Sequence, residues 1–282
     1  MSTVATLLTA IGYRIGGGIT ISPTSDPSRA TCIQWLNEIA LWIVGICAES
    51  SSDLGRTIGT ITTIIPSITA ATQACPCAVT SASHGLVTGD EICIKNVVGM
   101  TELNDTEFTF TKVDADSGTL GIDSSAYTAY VSGGTMYKRK YNALASALYA
   151  PAQEGWIVKD YSRDKIDLTT EKILVDYSPI ETTKPSKFYV DGSNNICFPS
   201  YPDDAYTIKI PYWQLPTALT DPENTVPFLG IMDNVFIEAA TWRAQNRDEY
   251  DITMELKWMV FLNERAQRAI AMRKKTQVGV GL

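Results

Sequence analysis

Between residues 26 and 47, apolar side chains recur at alternating spacings of three and four. Ile33, Leu36, Ala40, Ile43 and Cys47 form a stripe, Ile39 and Ile46 widen it, and Asn37 and Glu38 lie beside it. This spacing predicts a helix, with Asp26 as N-cap and Pro27 at the first helical position, where a missing N–H leaves nothing unpaired. Burying four or five such side chains stabilises a fold by roughly 1.5–3 kcal/mol each, provided a facing surface exists. The best partners lie at the far end of the chain. Residues 227–245 place Met232, Val235, Phe236, Ala239 and Trp242 on one face, and residues 250–274 do the same with Ile252, Leu256, Met259, Ala266 and Ile270. The short polar link RDEYD makes these two helices antiparallel neighbours. A shorter amphipathic helix over residues 2–14 carries Val4, Leu7, Leu8, Ile11 and Ile15 and stops at Gly16, Gly17 and Gly18.

The pattern changes period after residue 50. Residues 55–68 alternate in the manner of β-branched strands, and residues 69–135 are rich in Thr, Val, Gly and Asp, with turn signals at HGLVTGD, VVGM, DADSG and VSGG. Such punctuation describes a small all-β module of five to six strands, read as an insertion. Residues 141–168 read as irregular with helical pieces and 177–184 as a loop. Then KFYV and ICF flank the turn DGSNN as a hairpin, PDD turns again, and YTIKIPYW alternates as a strand. The expected fold is α+β: a helical bundle built from N-terminal and C-terminal helices, with a β-hairpin/sheet region and an inserted small all-β barrel. The corresponding segments are residues 1–68, 69–138 and 139–282.

Charge narrows the function classes. A net charge of -8 repels nucleic acid over the molecule as a whole, so contact with DNA is expected to be weak or local. The six cysteines show no zinc-ligand spacing and read as mostly buried, reduced thiols. The first residues lack the basic start and apolar core of a signal peptide, and no apolar run approaches the 18 residues of a membrane span. A cytoplasmic protein without membrane contact is expected.

Candidate chemistry is sparse. GYRIGGGIT has neither a preceding strand nor the Lys-Ser/Thr pair of a phosphate loop. His84 is the single histidine, so a cysteine hydrolase would have to join it to Cys77 or Cys93; a strand-end histidine held by its turn is the preferred reading. Cys75, Cys77 and Cys93 imitate part of a metal site without a fourth ligand, and Asp114, Asp116 and Asp123 do not follow a calcium-loop spacing. No catalytic residue, metal or cofactor is expected. The one cationic patch is Arg265, Arg268, Arg273, Lys274 and Lys275. It reads either as favourable charge at a helix C-terminus or as a contact for an acidic partner, less readily for DNA phosphates. The tail TQVGVGL has no core-forming period and could order by adding a strand or filling a groove on a neighbour.

Two resemblances add to these readings. Residues 77–135 are similar to the small β-barrel named after the first catalytic cysteine half domain of ubiquitin-activating enzymes, in the form found within phage structural proteins. His84-Gly85-Leu86, Thr88-Gly89-Asp90, Gly99-Met100, Leu103-Asn104, Tyr127, Tyr130 and Gly133-Gly134 carry it, and Asp105 stands where a glycine is commoner. The resemblance implies a fold and no ubiquitin chemistry, since the catalytic cysteine of those enzymes lies outside such a module.

The rest of the chain resembles the phage head-to-tail adaptor (connector) family. Lys187 to Val190, Cys197 to Pro199, Pro202, Asp204, Tyr206, Ile208, Ile210, Tyr212-Trp213, Leu215-Pro216 and Leu219 carry that pattern, with WLNEIALWI as the family's first long helix. The resemblance implies a structural virion protein in the neck, assembled in the host cytoplasm: a dodecameric ring below the portal protein, lining a DNA exit channel that does not bind DNA specifically. It implies portal binding by Arg268, Arg273, Lys274, Lys275, Val278, Val280 and Leu282, and a tail nozzle or tail-tube protein below. Trp35 and Trp42, on the second face of the long helix, are the expected subunit contact. The alternative is an attachment protein whose β-insert holds a tail fibre, a nozzle protein or a host glycan.

Overall fold

Ser28, not Asp26, caps the long helix. Its Oγ accepts from the Thr31 N–H at 3.2 Å, so the helix starts two residues later than the sequence suggests. The computed structural model describes residues 2–142, 144, 147–159, 162–169, 180–228, 230–246 and 252–278. It divides into two compact units, Met1–Thr57 with Trp213–Leu282, and Ile58–Tyr212. The fold is α+β and rich in strands, with four α-helices among the described residues.

All four helices belong to the first unit: α1 (Val4–Gly16), α2 (Arg29–Glu49), α3 (Asp233–Gln245) and α4 (Ile252–Val278). α3 packs against each of the other three, and α2 also meets α4. The α2 stripe is buried as its period requires, with Leu36, Ile39, Ile43 and Cys47 fully enclosed. By length and composition α2 would pass as a membrane span, in contrast to the expectation from its sequence. Half of that apolar window is buried inside the fold, so core burial accounts for its composition. Gly17 ends α1 in the left-handed conformation at φ 69°, as expected of a glycine there.

Three expectations for the C-terminal helices need correction. α3 begins at Asp233 rather than near residue 227, because Phe228 (φ 72°) and Gly230 (φ 70°) turn the chain and the Asp233 N–H bonds the Gly230 carbonyl. α4 continues to Val278. Leu256 does not face the core: it is 59% exposed, while Trp258, Leu262, Ala266 and Ile270 are buried. α4 has apolar residues on more than one side, and Trp258 fixes which side turns inward by donating its indole N–H to the Ala239 carbonyl of α3 at 3.0 Å.

Arg243 of α3 is only 8% exposed and ties three helices. Its guanidinium pairs with Glu38 of α2 and, at 3.2 Å, with Glu255 of α4, and it lies 3.8 Å over the Trp258 ring. Asn37 of α2 makes a reciprocal clamp on Leu219: Nδ2 donates to its carbonyl at 2.9 Å and Oδ1 accepts its N–H at 2.7 Å. The N-terminus is stitched to the 222–226 turn through Val4 to Asn224, Ala5 to Pro222 and Val226 to Ser2 backbone bonds.

The second unit holds two β systems. β2 (Ala70–Ala71), β3 (Cys77–Thr80), β4 (Asp90–Val98), β5 (Thr106–Lys112), β6 (Ser117–Leu120) and β7 (Ser132–Lys138) pair in the order β2-β3-β6-β5-β4-β7. Residues 66–71 nearly close this sheet into a barrel. Ile68 N–H bonds Gly134 and Met136 N–H bonds Pro66 on the β7 side, while Thr69 N–H bonds Thr80 on the β3 side. Ile92, Ile94, Met100, Leu103, Phe110 and Leu120 fill the interior.

The other sheet runs β1-β16-β10-β11-β13-β14-β8, with β9 also on β16. Its strands are β1 (Arg56–Thr62), β8 (Lys140–Tyr141), β9 (Leu148–Pro151), β10 (Glu154–Lys159), β11 (Ser162–Leu168), β13 (Lys187–Val190), β14 (Ile196–Cys197) and β16 (Thr207–Gln214). A two-strand ladder joins β12 (Thr182–Thr183) to β15 (Tyr201–Pro202). The expected hairpin is present as β13 and β14, and YTIKIPYW lies in β16. Residues 148–151, 154–159 and 162–168, read as irregular with helical pieces, are strands instead. Gly155, Ile157 and Ile166 are buried, but Trp156 and Val158 blur the alternation in β10 and charged residues surround Ile166 in β11. Part of the expected 177–184 loop lies outside the described residues.

In the hairpin turn, Asp191 accepts from Lys140 Nζ at 2.9 Å, from both the side chain and backbone N–H of Asn195, and from the Ser193 N–H. Burial opposes its ionisation, and these hydrogen bonds outweigh burial and hold the carboxyl well below the usual carboxylate range.

Two outcomes are expected in urea unfolding. Arg243→Ala lowers the stability of the helical unit by about 2–4 kcal/mol, since it leaves a cavity and two unpaired carboxylates, while Glu38→Gln costs under about 1 kcal/mol. Asp191→Asn destabilises the strand unit at pH 7 by about 1–2 kcal/mol. Because the folded carboxyl is depressed, the native contribution is complete above the unfolded carboxylate pKa near ~4 and fades as pH falls below it. The gap between native protein and variant should therefore close in acid; a gap that is constant with pH would exclude this role.

Candidate functional site

The residues that carry the barrel resemblance are placed by local geometry, and each has a structural task. His84 is 2% exposed: Nδ1 accepts the Leu86 N–H at 3.0 Å, Nε2 lies 3.1 Å from the Asp114 carbonyl, and the ring meets Phe110 edge-on at 4.9 Å. Both ring nitrogens are thereby used in holding the turn. Thr88 Oγ1 accepts from Lys112, Asp90 Oδ2 from Val87, and Asn104 clamps both the N–H and the carbonyl of Val97 at 2.8 and 2.9 Å. The Tyr130 hydroxyl reaches the Ile68 carbonyl at 3.1 Å, beside the seam that closes the sheet. Gly99 has φ 92°, and a Cβ there would stand 2.2 Å from the Ala129 carbonyl. Asp105, the departure from the usual glycine, sits at φ 54°, a left-handed conformation that Asp tolerates, and its carboxylate pairs with Lys95 at 3.3 Å.

The base of the barrel is a polar cluster within the second unit. Lys138 pairs with Asp90 at 2.7 Å with both side chains nearly enclosed, and its ammonium lies over the Tyr141 ring. Glu107 accepts from the Tyr201 hydroxyl at 2.8 Å and pairs with Arg139 at 3.2 Å, whose guanidinium lies over the Tyr201 ring. Burial and the Glu107 carboxylate push the Tyr201 phenol far up, so it acts as a donor. The cluster fixes the barrel on β15.

The thiols are poor nucleophiles. Burial pushes Cys32, Cys47, Cys93 and Cys197 up to about 11, Cys77 is fully buried, and Cys75 is exposed. Among the described residues no group of three or more His, Cys, Asp or Glu is placed to hold a metal. Asp114 accepts from the Asp116 N–H and Asp123 from the Ser125 N–H, both as turn supports.

Surfaces remain as the candidate sites. The outer face of α2 exposes Leu41 at 46% and Trp42 at 41%, with Trp35 half-buried about two turns before Trp42. α4 exposes Leu256 and Val260, the latter at 60%. The sequence reading missed this pair because it assigned Leu256 inward and did not use Val260. The basic end of α4 is partly occupied by its own unit: Arg273 pairs with Asp53 at 2.9 Å, Lys274 donates to the Ser50 carbonyl at 3.4 Å, and Arg265 pairs with Glu238. Lys274 thus meets the C-terminal end of α2, where a cation is favourable. Arg268 is 66% exposed and 3.9 Å from Glu264. Lys275 and Val278 belong to α4 by backbone, and Val280 and Leu282 lie outside the described residues. On the barrel, Val98 and Val131 are exposed neighbours, joined by the Val131 N–H to the Val98 carbonyl, and Val87 and Val113 are exposed near the other end of β4.

Residues 77–140 match the ubiquitin-activating enzyme E1 FCCH domain family, from β3 to the first residue of β8. That domain is a non-catalytic part of those enzymes, in keeping with a buried, hydrogen-bonded His84 and protonated thiols. No curated protein matches the chain.

Alkylation of the native protein at pH 7.5 should label Cys75 alone, with all six cysteines labelled after unfolding. Rapid labelling of Cys93 in the native protein would instead reveal an activated thiol.

Proposed function

We propose that the protein is a structural virion component: a head-to-tail adaptor that forms a ring, of twelve copies by family resemblance, below a portal protein and lines the DNA exit channel. The observation that carries this reading is the Asn37–Leu219 clamp. Two segments that carry the adaptor resemblance, WLNEIALWI and LPTAL, lie far apart in sequence and are joined there by reciprocal hydrogen bonds. In this reading α1 to α4 form the helical bundle that packs the ring, and the cationic end of α4 with the tail beyond it addresses the portal. The net charge of -8 suits a channel through which DNA slides without being gripped. A tail nozzle or tail-tube protein binds below.

A second reading, attachment of a tail fibre or nozzle protein through the β-insert, is favoured by the exposed Val98–Val131 pair on the barrel.

Electron microscopy separates these. The purified protein should be a monomer or mixed species and should form rings when mixed with portals; portals that remain bare would refute the adaptor reading, and a tight portal-free dodecamer would refute templated assembly. Excising residues 69–135 should leave ring formation intact, whereas loss of rings by a folded excision variant would give the insert a central role in assembly.

A further inference from the structure

Two exposed apolar stripes on the helical unit have matching charge. On α2, Leu41 and Trp42 lie between Glu38 and Glu49, which are eleven residues apart. On α4, Val260 lies between Lys257 and Arg268, also eleven residues apart, with Leu256 beside Lys257. Eleven residues are close to three full turns, so each pair of charges shares its helix face, about 16 Å apart. Acid flanks aromatic on one helix; base flanks aliphatic on the other.

We infer that the α2 stripe of one copy docks on the α4 stripe of the next, with Trp42 against Val260 and Leu256, Glu38 opposite Lys257 and Glu49 opposite Arg268. This rests on the ring reading and assigns its subunit interface. The contact is heterologous, as ring closure by rotation requires: two different patches of one chain meet, and every copy uses both. The occupant is a second copy because the complementary surface is already on the chain. Glu38 retains 39% side-chain exposure even though Oε2 takes Arg243 and Oε1 accepts from Gln34, so it still presents charge outward. Glu264, on the same stretch of α4, partly offsets Arg268 at 3.9 Å. Neither stripe approaches the ~800 Å² per partner of a stable standard interface, so the contact is weak in solution and effective only when a template holds copies side by side. Trp42 is the anchor, as a tryptophan in a protein contact commonly is.

The test uses the full chain with Cys75→Ser as background, adding Trp42→Cys, Val260→Cys, or both. All are surface positions, and an unchanged thermal midpoint checks folding. On portals, the double variant under mild oxidation should give a ladder of disulfide-linked multimers on a non-reducing gel, and an equal mixture of the single variants should give linked dimers. Trp42→Glu should lower ring occupancy on portals about tenfold or more. Rings seen by microscopy without cross-links overturn the interface and leave the adaptor reading standing. Cross-linked dimers from a concentrated mixture of the two single variants, absent from either variant alone, with portals bare, uphold the interface and remove the adaptor reading. Absence of both rings and cross-links overturns both.

Discussion

The helical unit depends on one buried cation. Arg243 lies where α2, α3 and α4 meet, with carboxylates of Glu38 and Glu255 on its terminal nitrogens and the Trp258 ring on its face. A guanidinium out of water is unfavourable unless each of its hydrogen bonds is met. Here its Nε has no partner among the described residues, so the two carboxylates and the aromatic face carry the compensation. The arrangement has a directional effect that apolar packing lacks. Sliding α4 by one turn would keep the same side of the helix inward, but would take Glu255 and Trp258 away from Arg243 together. Register among three helices is thereby tied to a single side chain.

The strand unit uses a different device. Strands β3 to β7 leave two edges, at β3 and at β7, and residues 66–71, which include β2, bond to both. The match to the FCCH domain family covers the residues that hold this arrangement: the His84 turn, the Asn104 clamp and the glycines with positive φ. Lys138, Arg139, Glu107 and Tyr201 then fix the barrel to the neighbouring strand β15 through paired charges and ring contacts. The barrel is held by a polar cluster at its base.

The single histidine has both nitrogens engaged by backbone, and burial pushes the Cys93 and Cys197 thiols up to about 11. What distinguishes the molecule is surface: exposed tryptophan and leucine on α2, exposed leucine and valine on α4, and an acidic net charge.

The sequence by itself determined the elements whose period is unambiguous. The α2 stripe, the six-strand module with its turn residues, and the β13–β14 hairpin around DGSNN follow from spacing alone, because one face of each is apolar and the other is not. Tertiary structure decided the rest. The chain around α4 is apolar on several sides, so spacing could not choose between Leu256 and Trp258 as the inward residue; the Ala239 carbonyl waiting on α3 made that choice. In β10 the apolar Trp156 and Val158 blur the alternation and in β11 charged residues interrupt it, and only pairing with β16 and β13 makes them strands. The role of Arg243 is visible only once Glu38, 205 residues away in sequence, and Glu255 are brought against it. Periodicity reports that a face will be buried, but the identity of its partner is a long-range property that local spacing does not encode.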